Sequence, residues 1–442
     1  AMASLGHRVI GIDADAAKIA DLAAGRPPFY EPGLEELLRQ GLEAGRLRFS
    51  TSRADVTECA LHFICVGTPQ APDSLAADLT ALDQAAEELL DHLRPGAVVV
   101  GKSTVPAGTA RPLAARLADA SAQLVWNPEF LREGLAIRDT LAPDRIVYGL
   151  AGSAPDWDGG IGGGTGAHMG ADLLDEVYAD LLAAGIPRLK MSYESAELVK
   201  ASANSYLAMR VSFINAISDL ADSAGADILD VAAALRLDER IGKRFLNPGL
   251  GFGGGCLPKD LHALTAHAEH LNAPLAAALL SAADQINVSR RARVIELTQC
   301  ALGGPVRASR VAVLGLSFKP LSDDVRNSQS VLVCEALVAA GARVVATDPR
   351  AVATAQAAHP ALTCVASVAE AVRDAQVILL LTEWTEYRDL DPVEVASWTA
   401  ARQIVDARCV LDAGAWVAAG FTVHAPGRPG LPDLRAGADA RV

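Results

Sequence analysis

A single cysteine, Cys256, closes a glycine run in GFGGGCLPKD (residues 251–260), with Lys259 and Asp260 just beyond it. A thiol beside positive charge is biased toward thiolate, the form that attacks carbon. Glycines permit unusual backbone angles and the close approach of a ligand. Nucleophilic catalysis and a buried structural thiol are both open to this stretch. Lys200 and Asn204, in VKASANSYLAM, are four residues apart and so share a helix face. The flanking residues are largely apolar, so a buried lysine there requires an anionic partner or a shifted pKa, a surface position being the alternative. WNPEFLREG (126–134) places Glu129 and Glu133 among apolar side chains, as catalytic carboxylates or as helix caps. Asp13, at the end of RVIGIDAD, is placed either to bond a ribose hydroxyl or to cap a helix, and Lys18 nearby reads by itself as a solvated side chain.

These residues need elements to hold them. The runs LHFICVG (61–67), AVVVGKS (97–103) and RIVYGL (145–150) read as strands between Ala/Leu-rich helices. That alternation predicts a parallel sheet with helices on both faces, an α/β nucleotide fold. CVGTP (65–69) and KSTVPAGT (102–109) then fall at the carboxyl edge of the sheet, where open α/β folds bind ligands. From Leu173 to about Ala226 the pattern is helical, with further helices over 259–300. The last third restarts the opening pattern: SRVAVLGLSFKP (309–320) is strand then turn, and NSQSVLVCEALVAAGARVVATDP (327–349) is helix then strand. AGARVVATDPR and LGHRVIGIDAD form a weak internal repeat, each with an Asp at its strand tip. The expected division is a Rossmann-like domain over 1–180, a helical central domain over 181–300 and a second α/β domain over 301–442. A dinucleotide fold sets its first strand and Gly-rich turn about 20 residues or more ahead of the acidic strand tip. Asp13 has only twelve residues before it, so that strand and turn are expected to be missing from this chain, which would begin inside the helix that follows them. The glycine-rich stretch 152–170 reads as a flexible surface loop.

Length and composition narrow the function classes. A chain of 442 residues with 51% hydrophobic and 21% charged residues has the balance of a folded multidomain protein. A formal charge of -14 argues against a nucleic-acid binder held by counterion release. No apolar run reaches about 18 residues and no signal peptide opens the chain, so a soluble cytoplasmic protein that does not enter membranes is expected. The seven cysteines lack CxxC spacing, which favours neither a disulfide framework nor a metal site. Most of them, Cys65 included, read as inert core thiols.

Taken in order, FYEPGLEELL, VGTP, STVPAGT, NPEFLREG, PDRIV, ELVKASANSYLAMRVSFINAIS, FLNPGLGFGGGCLPKD, GLSFKPLSDDVRNSQS and LLTEWTEYRDLD resemble the UDP-glucose/GDP-mannose dehydrogenase family over nearly the whole chain. The resemblance implies two Rossmann-like parallel-sheet domains joined by a helical middle domain. It also implies a four-electron, NAD-dependent oxidation of a nucleotide-sugar primary alcohol to the acid, with UDP-glucose as the expected substrate and UDP-glucuronate as product. GDP-mannose or a UDP-N-acetylhexosamine is the alternative substrate. A nucleotide-sugar-binding protein made inactive by a missing dinucleotide loop is the alternative class.

The resemblance also implies residue roles. Cys256 would form a thiohemiacetal and then a thioester. Lys200 and Asn204 would stabilise oxyanions and meet substrate, and Glu129, Thr104 and Asp260 would handle protons and water. Asp13, Lys18, Thr68, Ser103, Thr104, Val105, Glu133, Lys259 and Arg326 would lie toward NAD. Phe130, Leu131, Arg132, Arg240, Asn247, Phe252, Gly253 and Lys319 would meet the nucleotide-sugar, with Arg240 reaching a neighbouring subunit of a homodimer. Two departures stand out besides the missing turn: DARC (406–409) replaces a family D-G-R-N, and the glycines near 160 look inserted.

Overall fold

The computed structural model describes residues 1–152 and 169–431, which form two compact units. The glycine-rich stretch expected to be a loop lies, but for its ends, outside the described residues. Among the described residues no helix is long and apolar enough to cross a membrane.

The first unit comprises residues 1–204 and 262–277. Its strands are β1 (Val9–Ile12), β2 (Leu47–Ser50), β3 (Leu61–Ile64), β4 (Val98–Gly101), β5 (Gln123–Trp126), β6 (Ile146–Leu150) and β7 (Arg188–Ser192). β1 and β2 form a parallel two-stranded sheet, and β3 to β7 form a five-stranded sheet in chain order. The latter is parallel except where β5 meets β6, joined by one antiparallel pairing of Trp126 with Gly149. The expectation of a wholly parallel sheet is corrected there. Val99, Leu124, Trp126 and Val147 pack on one face of this sheet, and Val98, Val100, Val125, Ile146 and Tyr148 on the other. The alternation follows from the two-residue period of a strand, and burial on both faces explains why these runs are continuously apolar.

Two further expectations change. The helical stretch from Leu173 is broken: helices Met169–Val177 and Ala179–Ala183 give way to β7 before the helix Tyr193–Ala224. Gly185, at φ 86°, ends the helical turn with its N–H on the Leu182 carbonyl, and Pro187 follows. At the amino end, residues 2–6 form turns rather than an α-helix.

The second unit comprises residues 205–261 and the described residues from 278 onward. Its sheet holds β8 (Arg310–Leu314), β9 (Arg343–Thr347), β10 (Thr363–Cys364), β11 (Val377–Leu380), β12 (Gln403–Asp406) and β13 (Thr422–His424). All are parallel, in the order β10-β9-β8-β11-β12-β13, the doubly wound order of a Rossmann fold. Val311, Val313, Val377 and Leu379 pack on one face, Ala312, Leu314, Ile378 and Leu380 on the other. Beside this sheet the helices Tyr193–Ala224 and Pro274–Leu302 are bound together by Ser212, whose hydroxyl donates to the Ala283 carbonyl at 2.6 Å, and by Arg290–Asp219 and Arg293–Asp222 pairs.

The internal repeat is real in fold and divergent in use. In the second copy, Asp348 at the tip of β9 is buried and turns inward: its carboxylate accepts from the N–H groups of Leu316, Ser317, Arg350 and Ala351 and from the Trp384 indole. It thereby holds the turn after β8. In the first copy, Asp15 caps the helix Ala16–Ala23, and Asp13 is left to an ion pair with Lys18. The inert-thiol expectation holds for Cys334 and Cys409, which are buried, and burial of its sulfur pushes the Cys65 thiol up as well, although the residue as a whole is exposed just beyond β3.

Candidate functional site

In the first unit the Lys200 ammonium lies 2.9 Å from Glu129, with only 4% of the lysine side chain exposed. This is the anionic partner that an apolar helix face demands of a buried lysine. Glu129 is aimed by its own loop, accepting the Leu131 N–H at 2.5 Å. The neighbouring Phe130 ring is faced by Lys200 at 5.7 Å and by Arg145 at 3.9 Å. Asn204 follows Lys200 by one turn on the helix Tyr193–Ala224. A cavity of about 120 Å3 opens here, lined by Lys102, Asn127, Glu129, Phe130, Arg132 and Arg145 among others. Leu131 is exposed, whereas Arg132 is bound to Asp139 through its guanidinium at 2.6 Å and its N–H at 2.9 Å.

The expected cofactor residues from Asp13 to Glu133 belong to the first unit, and Lys259 and Arg326 to the second. Asp13 and Lys18 pair just beyond β1, and that pairing, with the Asp15 N–H, holds the Asp13 carboxyl below its ordinary range. Asp15, rather than Asp13, performs the capping of the helix Ala16–Ala23. Thr68, Ser103 and Val105 are buried, and both hydroxyls are turned inward. Thr68 donates to the Thr104 carbonyl and Ser103 to the Val66 carbonyl, each at 2.7 Å. These side chains weld the two turns together, so what they offer a ligand is main chain. Glu133 lies in the turn before Gly134.

The second unit holds the thiol. Cys256 is exposed, and its carbonyl accepts the Asp260 N–H at 2.9 Å, which places it at the N-cap of the helix Leu257–His270. The positive dipole end of a helix favours an anion at that point. Lys259 pairs with the buried Asp260 at 2.7 Å, in the first turn. Arg326, paired with Asp324 at 2.6 Å, lies against Gly255, its guanidinium 3.0 Å from where a Cβ would stand.

The glycine run takes the unusual backbone angles expected of it, with Gly251 at φ 87° and Gly254 at φ 84°, and it is also closely packed. A Cβ at Gly253 would meet the Asn327 carbonyl at 2.3 Å, and one at Gly254, whose φ is +84°, would meet the Phe318 ring at 2.7 Å. The 318–327 loop of the same unit therefore packs closely on both glycines. Phe252 is buried and tied at both ends of its peptide by the Asn287 side chain. Lys319 lies 5.3 Å from the Phe318 ring. Asn247 accepts from Arg236, and Arg240, with 89% of its side chain exposed, pairs with Asp238 at 2.6 Å.

Three residues escaped sequence reasoning. Arg145 backs Phe130, Glu31 accepts the N–H groups of Gly134 and Ala136 at 2.7 and 2.8 Å, and Glu197 does the same for Gly108 and Ala110. Nothing in their spacing signals these partners, which lie about 90 to 105 residues away for the two glutamates.

Comparison with known proteins agrees with this picture. The NAD binding domain of the UDP-glucose/GDP-mannose dehydrogenase family matches residues 1–156, its central domain residues 194–289 and its UDP binding domain residues 312–413. The chain is 37% identical over 432 residues to a UDP-glucose 6-dehydrogenase of Rhizobium meliloti, covering 97% of this chain and 95% of that one. It is 36% identical to UDP-glucose 6-dehydrogenase YwqF of Bacillus subtilis, over 97% of this chain and 94% of the other. Among solved structures, a UDP-glucose dehydrogenase from the archaeon Pyrobaculum islandicum superposes with a TM-score of 0.82 at 37% identity, covering 92% of this chain and 90% of its own. By its motifs, its fold and its relatives alike, the chain belongs to the UDP-glucose/GDP-mannose dehydrogenase family and is an NAD-dependent nucleotide-sugar dehydrogenase.

Proposed function

We propose that the chain oxidises UDP-glucose to UDP-glucuronate through a covalent intermediate on Cys256. The observation that carries this reading is the exposed thiol at a helix N-cap, with Lys259 and Asp260 in the following turn and Arg326 beside Gly255. Bound NAD+ supplies the hydride acceptor for each of two successive two-electron oxidations. Cys256 adds to the intermediate aldehyde as thiolate, giving a thiohemiacetal that holds the carbon between the two oxidations. The second oxidation leaves a thioester, and water cleaves it to the acid and the free thiol. Lys200 and Asn204 donate to the oxygen as negative charge develops on it. Glu129 and Asp260, with Thr104, take up and return protons and orient water. Asp13 with Lys18, Thr68, the 103–105 segment, Glu133, Lys259 and Arg326 lie toward NAD. Phe130, Leu131, Arg132, Arg240, Asn247, Phe252, Gly253 and Lys319 lie toward the nucleotide-sugar. The domain division at 180 and 300 goes with this assignment, as does a cytoplasmic location.

A homodimer through the helices Tyr193–Ala224 and Pro274–Leu302 is part of the same reading. Tyr206, Phe213 and Leu220, seven residues apart, are 57%, 53% and 64% exposed, and Leu279 is 59% exposed. That spacing lines them along one helix stripe. A second copy of the chain would cover the stripe and receive Arg240.

Incubation with NAD+ and each of UDP-glucose, UDP-N-acetylmannosamine and GDP-mannose tests the substrate. Two NADH formed per UDP-glucose consumed is expected. Turnover of GDP-mannose with none of UDP-glucose would reverse the assignment.

A further inference from the structure

Glu197 is a buried carboxylate to which the reaction gives no role. It stands on the helix Tyr193–Ala224, three residues before Lys200, and is 1% exposed. One carboxylate oxygen accepts the Gly108 N–H at 2.7 Å and the other the Ala110 N–H at 2.5 Å. These amides open the helix Ala110–Asp119, whose own N-cap residue, Thr109, makes no capping bond and donates instead to the Pro106 carbonyl. The cap therefore comes from the Lys200 helix. A helix start without a capping acceptor leaves its first N–H groups unsatisfied, and here that acceptor also fixes the end of the 102–109 turn. The other end of the turn is held by the Thr68 and Ser103 hydroxyls. The Thr104 segment is thus strung between the 65–69 turn and Glu197.

Burial pushes the Glu197 carboxyl up to about 7, against the opposite pull of the two backbone N–H groups. The charges nearby are Glu194 on its own helix and Arg111 on the helix it caps, and these two pair with each other at the surface at 2.6 Å. With both oxygens engaged by main chain, Glu197 acts through the loop it holds.

We propose that Glu197 is a positioning residue, which by capping Ala110–Asp119 from the Lys200 helix fixes the place of the Ser103–Thr104–Val105 segment. This rests on the reading above that the segment faces NAD. Glu197→Gln keeps the size but leaves one acceptor, its amide nitrogen facing a second N–H. Hydrogen exchange on the protein without ligands, and steady-state kinetics with UDP-glucose and NAD+, test the idea, with Glu194→Gln as the control that removes the surface charge paired with Arg111 and leaves the Glu197 cap in place. In Glu197→Gln, exchange at Gly108, Ala110 and Ser103–Val105 should quicken about tenfold, the loss of one such hydrogen bond. The interior of Ala110–Asp119 should be unchanged. KM for NAD+ should rise several-fold with KM for UDP-glucose unmoved, and Glu194→Gln should do neither. Glu197→Asp, one methylene short, gives the same reading if the glutamine variant does not fold. Unchanged exchange at Ser103–Val105, or a fall in kcat with both KM values intact, overturns the proposal. A wild-type protein that turns over no nucleotide-sugar would instead sink the proposed reaction, and the exchange measurement would still decide the role of Glu197.

Discussion

Replacing Lys200 by methionine separates two contributions of one ammonium group. At 2.9 Å the attraction between Lys200 and Glu129 is gross about 6 kcal/mol at an effective dielectric of 20. Most of this is offset by the cost of taking both charges out of water. Removing one partner of a fully buried pair costs about 3–5 kcal/mol. Glu129 is 28% exposed and keeps the Leu131 N–H, so solvent recovers part of that loss. A destabilisation of about 2–3 kcal/mol is expected, read by urea unfolding. The catalytic effect is distinct: loss of a preorganised oxyanion donor should lower kcat about 100- to 1000-fold. Adding Glu129→Gln removes the orphaned charge, so the double variant should regain about 2 kcal/mol relative to the sum of the singles. A coupling below about 0.5 kcal/mol would show that the pair does not carry the stability assigned to it. A kcat loss of less than tenfold would remove Lys200 from the reaction.

Cys256→Ser should abolish acid formation while leaving calorimetric UDP-glucose affinity within about twofold, because an alkoxide is far harder to form near neutral pH than a thiolate; undiminished turnover would rule out the covalent route. Glu197, raised from 4.5 to about 7, binds its proton more tightly in the folded state, so its contribution to stability is complete below pH 4.5 and is lost as pH rises through 7. The stability of Glu197→Gln relative to wild type should therefore improve by about 3 kcal/mol between pH 4.5 and 8, and a flat difference would contradict the burial argument. Phe213→Asp, placing charge on the exposed stripe, should give monomers in analytical ultracentrifugation at micromolar concentration, where a retained dimer would exclude that face.

Much of this molecule was readable in one dimension. β4, β6, β8 and β9 are apolar runs rich in β-branched residues and buried on both faces, so they declare themselves. β2, β5 and β7 do not: LRFS, QLVW and RLKMS carry polar or charged residues within four or five positions. β7 was absorbed into a helical reading because its charges suit a solvated helix face, and only pairing with β6 makes it a strand. The thiol, the Lys200–Asn204 pair and Glu129 were legible because a reactive side chain in an apolar or glycine-rich setting is conspicuous.

Local chemistry was enough to say which groups could react: a residue's type and its immediate neighbours determine whether it is a nucleophile, a cation or a strand former. Partnership was decided elsewhere. Glu129 and Lys200 are 71 positions apart, and Glu197 and Gly108 are 89 apart, so their meeting depends on how sheet and helices pack. Asp13 and Asp348 end equivalent strands, yet one pairs with a lysine at the surface and the other is buried in its own turn. Gly253 and Gly254 read as glycines that let the backbone turn and a ligand approach, and the fold adds a reason the sequence does not show: the Asn327 carbonyl and the Phe318 ring stand where their side chains would be. A side chain's charge and shape are written locally. What stands within 3 Å of it is settled by the close packing of segments that the chain holds far apart.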